Sequence, residues 1–174
     1  MSWNDYYRRR DAMDAVVAHA ARTPEGALPY AEVPGVDAVF SSHEELLLAL
    51  HYRWTLKLTG RVGMAQAEAE RDASIDLVDA VSQAWRTTAA EHPALRRLVD
   101  DAARTYPDLL RPALDSEQRM LALAAGLAEP HEDKTEITRV GAAFVALVRS
   151  APARAAGKRR NPVEQLLRKL VASA

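Results

Sequence analysis

Apolar residues recur along this chain at intervals of three and four, the spacing that gathers them on one face of an α-helix. In the first such stretch, residues 4–21, a broad face carries Trp3, Tyr6, Tyr7, Met13, Val16, Val17 and Ala20. Pro24 and Gly26 then end the helix. Residues 27–40 hold Pro29, Pro34 and Gly35, which leaves room for one helical turn around 30–33. Ser42-His43-Glu44-Glu45 reads as a capping box: the Ser42 hydroxyl accepts from the Glu45 amide, and Glu45 returns the bond. A long helix follows to about residue 71. Its stripe is Leu47, Leu50, Trp54, Leu58 and Val62, widened by Leu48, Tyr52 and Leu56, so it is expected at the centre of the fold. Gly60 and Gly63 within it each cost about 1 kcal/mol relative to alanine. They mark a bend or close packing.

Six more helical stretches are predicted downstream. Residues 74–90 present Ile75, Val78, Val81 and Trp85 inward, with Ser74 as the cap. Pro93 opens 93–105, with Leu95, Leu98 and Val99 inward. Pro107 and Pro112 bracket a short segment, 108–111, and Asp115-Ser116-Glu117-Gln118 opens 115–128. Asp133-Lys134-Thr135-Glu136 caps 134–150, whose Gly141, Ala142, Ala143 and Ala146 make a small-residue surface. Beyond a basic linker, Asn161-Pro162 starts a final amphipathic helix through Val163, Leu166, Leu167, Leu170 and Val171. No stretch alternates apolar and polar residues long enough for a strand. The expectation is an all-α bundle of about seven to eight helices in three parts. Residues 1–60 form a head leading into the long connecting helix, 61–150 a helical body, and 151–174 a basic linker with a C-terminal amphipathic helix.

Composition narrows the function classes. The chain has 174 residues, 48 % of them hydrophobic and 27 % charged, the balance of a globular protein rather than a disordered one. It has no cysteine, which excludes disulfides, thiolate metal sites and a thiol nucleophile. No apolar run reaches the length of a membrane span, and the N-terminal residues lack the apolar core of a secretory signal. A cytoplasmic protein is expected. The net charge of −1 conceals a division: residues 151–174 carry six basic side chains against one acidic, a net of +5, and the remainder carries −6.

Catalytic and metal chemistry find no support in the pattern. The five histidines are His19, His43, His51, His92 and His131, and none stands in a His-Glu-x-x-His or Glu-x-x-His arrangement. They are expected on helix surfaces. Gly60 and Gly63 follow no strand, so they make no phosphate loop. No serine sits in a nucleophile elbow. The expectation is no enzyme, no metal and no cofactor. Tyr52, Trp54, Trp85 and Phe144 are candidates to line a pocket for a small apolar ligand, or else to form plain core.

One segment carries a resemblance. Gly35-Val36, Phe40 and the cap Ser42, Glu44, Glu45, Leu46 resemble the turn, the closing aromatic and the start of the connecting helix in the TetR family of regulators. Val16-Val17-Ala18 and Ala20-Ala21 before Gly26 are similar to that family's opening helix, and Glu91-His92-Pro93-Ala94-Leu95-Arg96 looks like a sequence of its ligand-binding portion. The resemblance implies an all-helical regulator that dimerises through its last body helices. Met120, Leu127, Val140, Gly141, Phe144 and Leu147 would form that homodimer interface. The chain departs from the family at the recognition helix: only Asp37, Ala38 and Val39 separate Val36 from Phe40, less than one helical turn. His43 stands where the family has a phosphate-contacting lysine. Acidic side chains also outnumber basic ones in residues 1–60. Sequence-specific DNA binding is therefore expected to be reduced or lost.

Two functional readings follow. One is a TetR-like regulatory protein that binds a small ligand or a partner. The other is a protein–protein interaction module that acts through the C-terminal helix. There Lys158, Arg159, Arg160, Arg168 and Lys169 would meet a partner or an anionic surface. That helix has three destinations: back on the body, in a partner's groove, or on a membrane.

Overall fold

The computed structural model describes residues 3–23 and 32–150, and all regular structure among them is helical. The elements are α1 (Trp3–Arg22), α2 (His43–Arg71), α3 (Leu77–Glu91), α4 (Pro93–Thr105), α5 (Pro107–Ala124) and α6 (Lys134–Ser150). The all-α expectation holds. The count is six among the described residues, because the expected helices 108–111 and 115–128 are one helix. The C-terminal helix expected at 161–171, with Lys158, Arg159, Arg160, Arg168 and Lys169, lies outside the described residues, as does Tyr30 of the turn expected at 30–33.

α2 is the axis of the bundle, packed against α3, α4 and α5. Leu47, Leu50, Trp54, Leu58 and Val62 are buried as expected. Trp54 meets Trp85 of α3 edge-on at 6.0 Å between ring centroids. Leu48, Tyr52 and Leu56 do not widen this face. They lie exposed on another side of the helix, so α2 is amphipathic rather than surrounded. α1 contributes Val16 and Ala20 to the core and packs on α4. Its N-terminal aromatics Trp3, Tyr6 and Tyr7 were expected on the inward face but stand exposed, in contact with one another.

Local chemistry sets the boundaries. Ser42 Oγ accepts from the Glu45 amide at 3.2 Å, the first half of the expected capping box. The Glu45 carboxylate reaches the Ser41 amide at 2.7 Å instead of returning to Ser42. α3 starts at Asp76, whose carboxylate accepts from the Asp79 amide at 2.8 Å; before it, the Ser74 amide donates to the Asp72 carboxylate in a turn. α3, α4 and α5 are separated by the single residues His92 and Tyr106. In each case the next residue is proline, which pushes its predecessor out of the helical region and has no N–H to give. Pro112 does not repeat this. It removes one bond inside α5, while Leu110, with Leu109 and Leu114, packs on Leu47 and Ala102 and holds the first turns in line. α5 ends at Ala124, short of the expected residue 128. Gly126 takes φ +66°, and the Gly126 and Leu127 amides bond back to Leu123 and Ala122.

α5 and α6 share the most extensive helix–helix contact among the described elements. A side chain at Gly141 would run into the backbone carbonyl of Gln118, so this glycine sets how near the two helices come.

Candidate functional site

Two places in the bundle hold chemistry beyond apolar packing. The first is buried. Glu117 of α5, Arg96 of α4 and His51 of α2 are each at least 94 % buried. Glu117 Oε2 lies 3.2 Å from His51 Nε2, and its other oxygen lies 3.5 Å from Arg96 Nη1. Arg96 also donates to Asp100 at 2.6 Å, and Arg149 of α6 reaches the same Asp100. The Arg96 guanidinium lies 4.7 Å over the Trp54 ring and 5.9 Å from that of Trp85. Burial pushes the Glu117 carboxyl up, but His51, the Arg96 charge and the nearby Trp54 indole outweigh it and hold the group below its ordinary range. The result joins α2, α4, α5 and α6 through polar side chains. A cleft of about 150 Å³ opens beside it, lined in part by Asp100, Leu114 and Arg149.

The second place is on the surface. α1 crosses the N-terminal half of α2 and leaves a groove of about 610 Å³ between them. Tyr6 and Met13 of α1 and Leu48, Tyr52 and Leu56 of α2 supply its apolar walls. Arg9, Arg10, Arg53 and Lys57 stand around it, with Glu45 as the acid among the lining residues. Arg9 braces the corner: it pairs with Glu45 at 2.6 Å and lies 4.4 Å over the Phe40 ring. Glu45, held by the Ser41 amide and hydroxyl and by Arg9, is depressed to about 2. Seven large apolar side chains of α1 and α2 are exposed, namely Trp3, Tyr6, Tyr7, Leu48, Tyr52, Leu56 and Met64. Four of the seven, Tyr6, Leu48, Tyr52 and Leu56, line the groove.

The candidate pocket residues divide between these places. Trp54, Trp85 and Phe144 are brought together in the main core, each at most 6 % exposed. Tyr52 is 64 % exposed and belongs to the groove. The candidate interface residues divide as well. Gly141 packs on α5 of its own chain, Phe144 sits in the core, and Val140 packs against Ala122, Ala128 and Ile137. Met120 lines a shallow cleft between α2 and α5. Leu127 and Leu147 remain exposed, Leu147 at 68 %.

His51 was expected on a helix surface and is buried. Glu117 was expected in a helix-starting box and is inside α5. Both replace an apolar residue in a 4-3-4 rhythm: Leu47, His51, Trp54, Leu58 and Leu110, Leu114, Glu117, Leu121. That rhythm was the available signal for them. No group of three metal-ligating side chains occurs among the described residues, and no described helix is long and apolar enough to cross a membrane. Between α1 and α2, residues 32–42 hold turns, with Gly35 at φ +83° and Val33, Val36 and Phe40 anchored in the core. Comparison with protein-family models, with curated proteins and with solved structures gives no match to this chain.

Proposed function

We propose that this chain is a non-catalytic, all-helical binding protein of a TetR-like regulatory kind, which works by burying an apolar partner surface in the α1/α2 groove. The observation that carries the reading is the groove itself: apolar walls, a cationic border, and, among the described residues, most of the exposed large apolar side chains on its two helices. The buried Glu117 network is read as structural, because Glu117 lies between His51 and Arg96 and the Arg96 guanidinium lies over the Trp54 ring. Base reading is reduced or lost in this proposal, since the described residues between α1 and α2 offer turns where a recognition helix would stand.

An apolar fluorescent probe, added to dilute full-length protein, tests it. The probe brightens on the wild-type chain, and Leu48→Glu or Tyr52→Glu abolishes most of the signal without changing helicity. Equal brightening of both variants and wild type would place the apolar surface elsewhere and defeat the reading.

A further inference from the structure

We infer that the α1/α2 groove takes a single-chain amphiphile: a long-chain carboxylate whose head is met by Lys57 and whose alkyl chain lies along Leu56, Tyr52 and Leu48. The inference rests on the groove being the docking surface, and it names what docks there.

Two neighbouring rows of α2 lay out the groove, each with a residue at every fourth position. One row is apolar and exposed: Leu48, Tyr52 and Leu56. The other is Glu45, Ala49, Arg53 and Lys57, the seam along which α1 lies. There Glu45 pairs with Arg9 and Arg53 pairs with Asp14, so α1 neutralises two of the three charges in the row. Lys57 is the third. It is half-buried and makes no ion pair among the described residues. One turn away on either side stand two more cations, Arg53 and Arg61, each with an acid of its own, Asp14 and Glu91. The open charge is felt nearby. After burial itself, Lys57 acts most strongly on His92 to hold that ring below its ordinary range, ahead of Arg53 and Arg61.

This layout selects the ligand. Arg9, Arg10 and Arg53 are paired with Glu45, Asp11 and Asp14, so the groove offers one open cation, at one end of its apolar row. A peptide with acids along its length, or an anionic membrane, needs several. A molecule with one anionic group and an apolar chain behind it needs one. Lys57 and Leu48 lie about 14 Å apart along the helix axis, the length of an extended alkyl chain of about eleven carbons. Tyr6 and Met13 of α1 would enclose such a chain from the other side. The groove volume of about 610 Å³ is that of a small-molecule site. Beside a half-buried lysine a carboxylate is screened less than at an open surface, so the head adds to the affinity of the chain.

Dodecanoate, used below its micelle concentration, tests the inference, with dodecan-1-ol as its uncharged counterpart. On the full chain, dodecanoate should displace the apolar fluorescent probe and raise the melting temperature. Lys57→Gln leaves no acid without a partner and should fold with unchanged helicity. It should weaken dodecanoate about tenfold and leave dodecan-1-ol unchanged, and Lys57→Arg should restore dodecanoate. Leu56→Glu should weaken both ligands. Lys134→Gln, at an exposed lysine of α6, should change neither. The His92 ring, followed by NMR, should titrate nearer its ordinary value with dodecanoate bound, because a carboxylate at Lys57 offsets that charge; dodecan-1-ol should leave it in place. Dodecanoate binding indifferent to Lys57→Gln, an equal loss of both ligands in that variant, or a His92 titration unmoved by dodecanoate overturns the inference. A fluorescent probe that binds the groove but is not displaced by dodecanoate also overturns it, and leaves the groove as a site for another partner. A probe that does not bind at all defeats the groove itself.

Discussion

Glu117 shows how a single side chain can join three helices, linking α5 to α2 through His51 and to α4 through Arg96. Its carboxylate is removed from water, and the cost is offset by His51 on one side and Arg96 on the other. Glu117→Gln leaves Arg96 buried with Asp100 as its remaining anion. The expected loss is about 3 kcal/mol, read as a shift in the urea midpoint. A second residue-scale prediction concerns pH. His92, at the α3/α4 corner, is held below its ordinary 6.5 by burial and by the charges of Lys57, Arg53 and Arg61. The unfolded chain therefore takes up that proton first, so its contribution is complete above pH 6.5 and falls as pH drops through that value. Glu117 and Glu45 titrate below their ordinary 4.5, so their contributions hold above pH 4.5 and are lost in stronger acid, for Glu45 down to about 2. Stability measured against pH should decline in two stages. His92→Gln should remove the upper stage and leave the lower; survival of both stages would show that another group titrates near neutrality.

At the scale of elements, punctuation was the legible part of the sequence. Ser42, Pro93, Pro107 and Asp133 act locally, through a hydroxyl, a carboxylate or a missing N–H, and each starts its helix where its chemistry requires. What escaped depended on tertiary partners. Pro112 looked like a boundary, but Leu110 docks on Leu47 and Ala102 and carries α5 through it. Leu48, Tyr52 and Leu56 looked like core, because periodicity reports a face without saying what covers it. Gly141 looked like a surface for a second chain and is used instead against Gln118. Gly141→Ala should therefore push α5 and α6 apart. The expected cost is about 3 kcal/mol, in contrast to the gain of about 1 kcal/mol that replacing an exposed helical glycine by alanine gives. A melting temperature unchanged by Gly141→Ala would mean that the two helices can separate freely.

At the scale of the whole molecule, charge is divided along the chain rather than balanced within it. The described helices belong to the acidic part, and the basic excess lies in residues 151–174. Any affinity for DNA should thus be sequence-independent and should fall steeply with salt, as phosphate-dominated binding does. In gel shifts, removal of residues 151–174 should abolish it. Retention of a defined operator by the shortened chain would overturn this expectation. The candidate site was only partly legible at this scale. The residues of the groove were visible one by one, but the crossing of α1 over α2 that assembles them depends on Val16, Phe40 and the Arg9–Glu45 pair meeting across some thirty positions of chain.

The one-residue corners at His92 and Tyr106 have a consequence for how the molecule meets proteases. Cleavage requires several residues drawn out into an extended strand. From Leu77 to Ala124 the chain has no such stretch, because each corner passes directly from one helix into the next and its own amide is bonded, His92 to Thr88 and Tyr106 to Ala102. A cut there has to wait for unfolding of the bundle, and its rate follows the population of the open state. The connection at 125–133 is longer than one residue, and its Glu129–Asp133 stretch is exposed to solvent. A nick in it would divide α5 from α6, and the two pieces would stay together through the packing of Ile137, Val140 and Gly141 against α5.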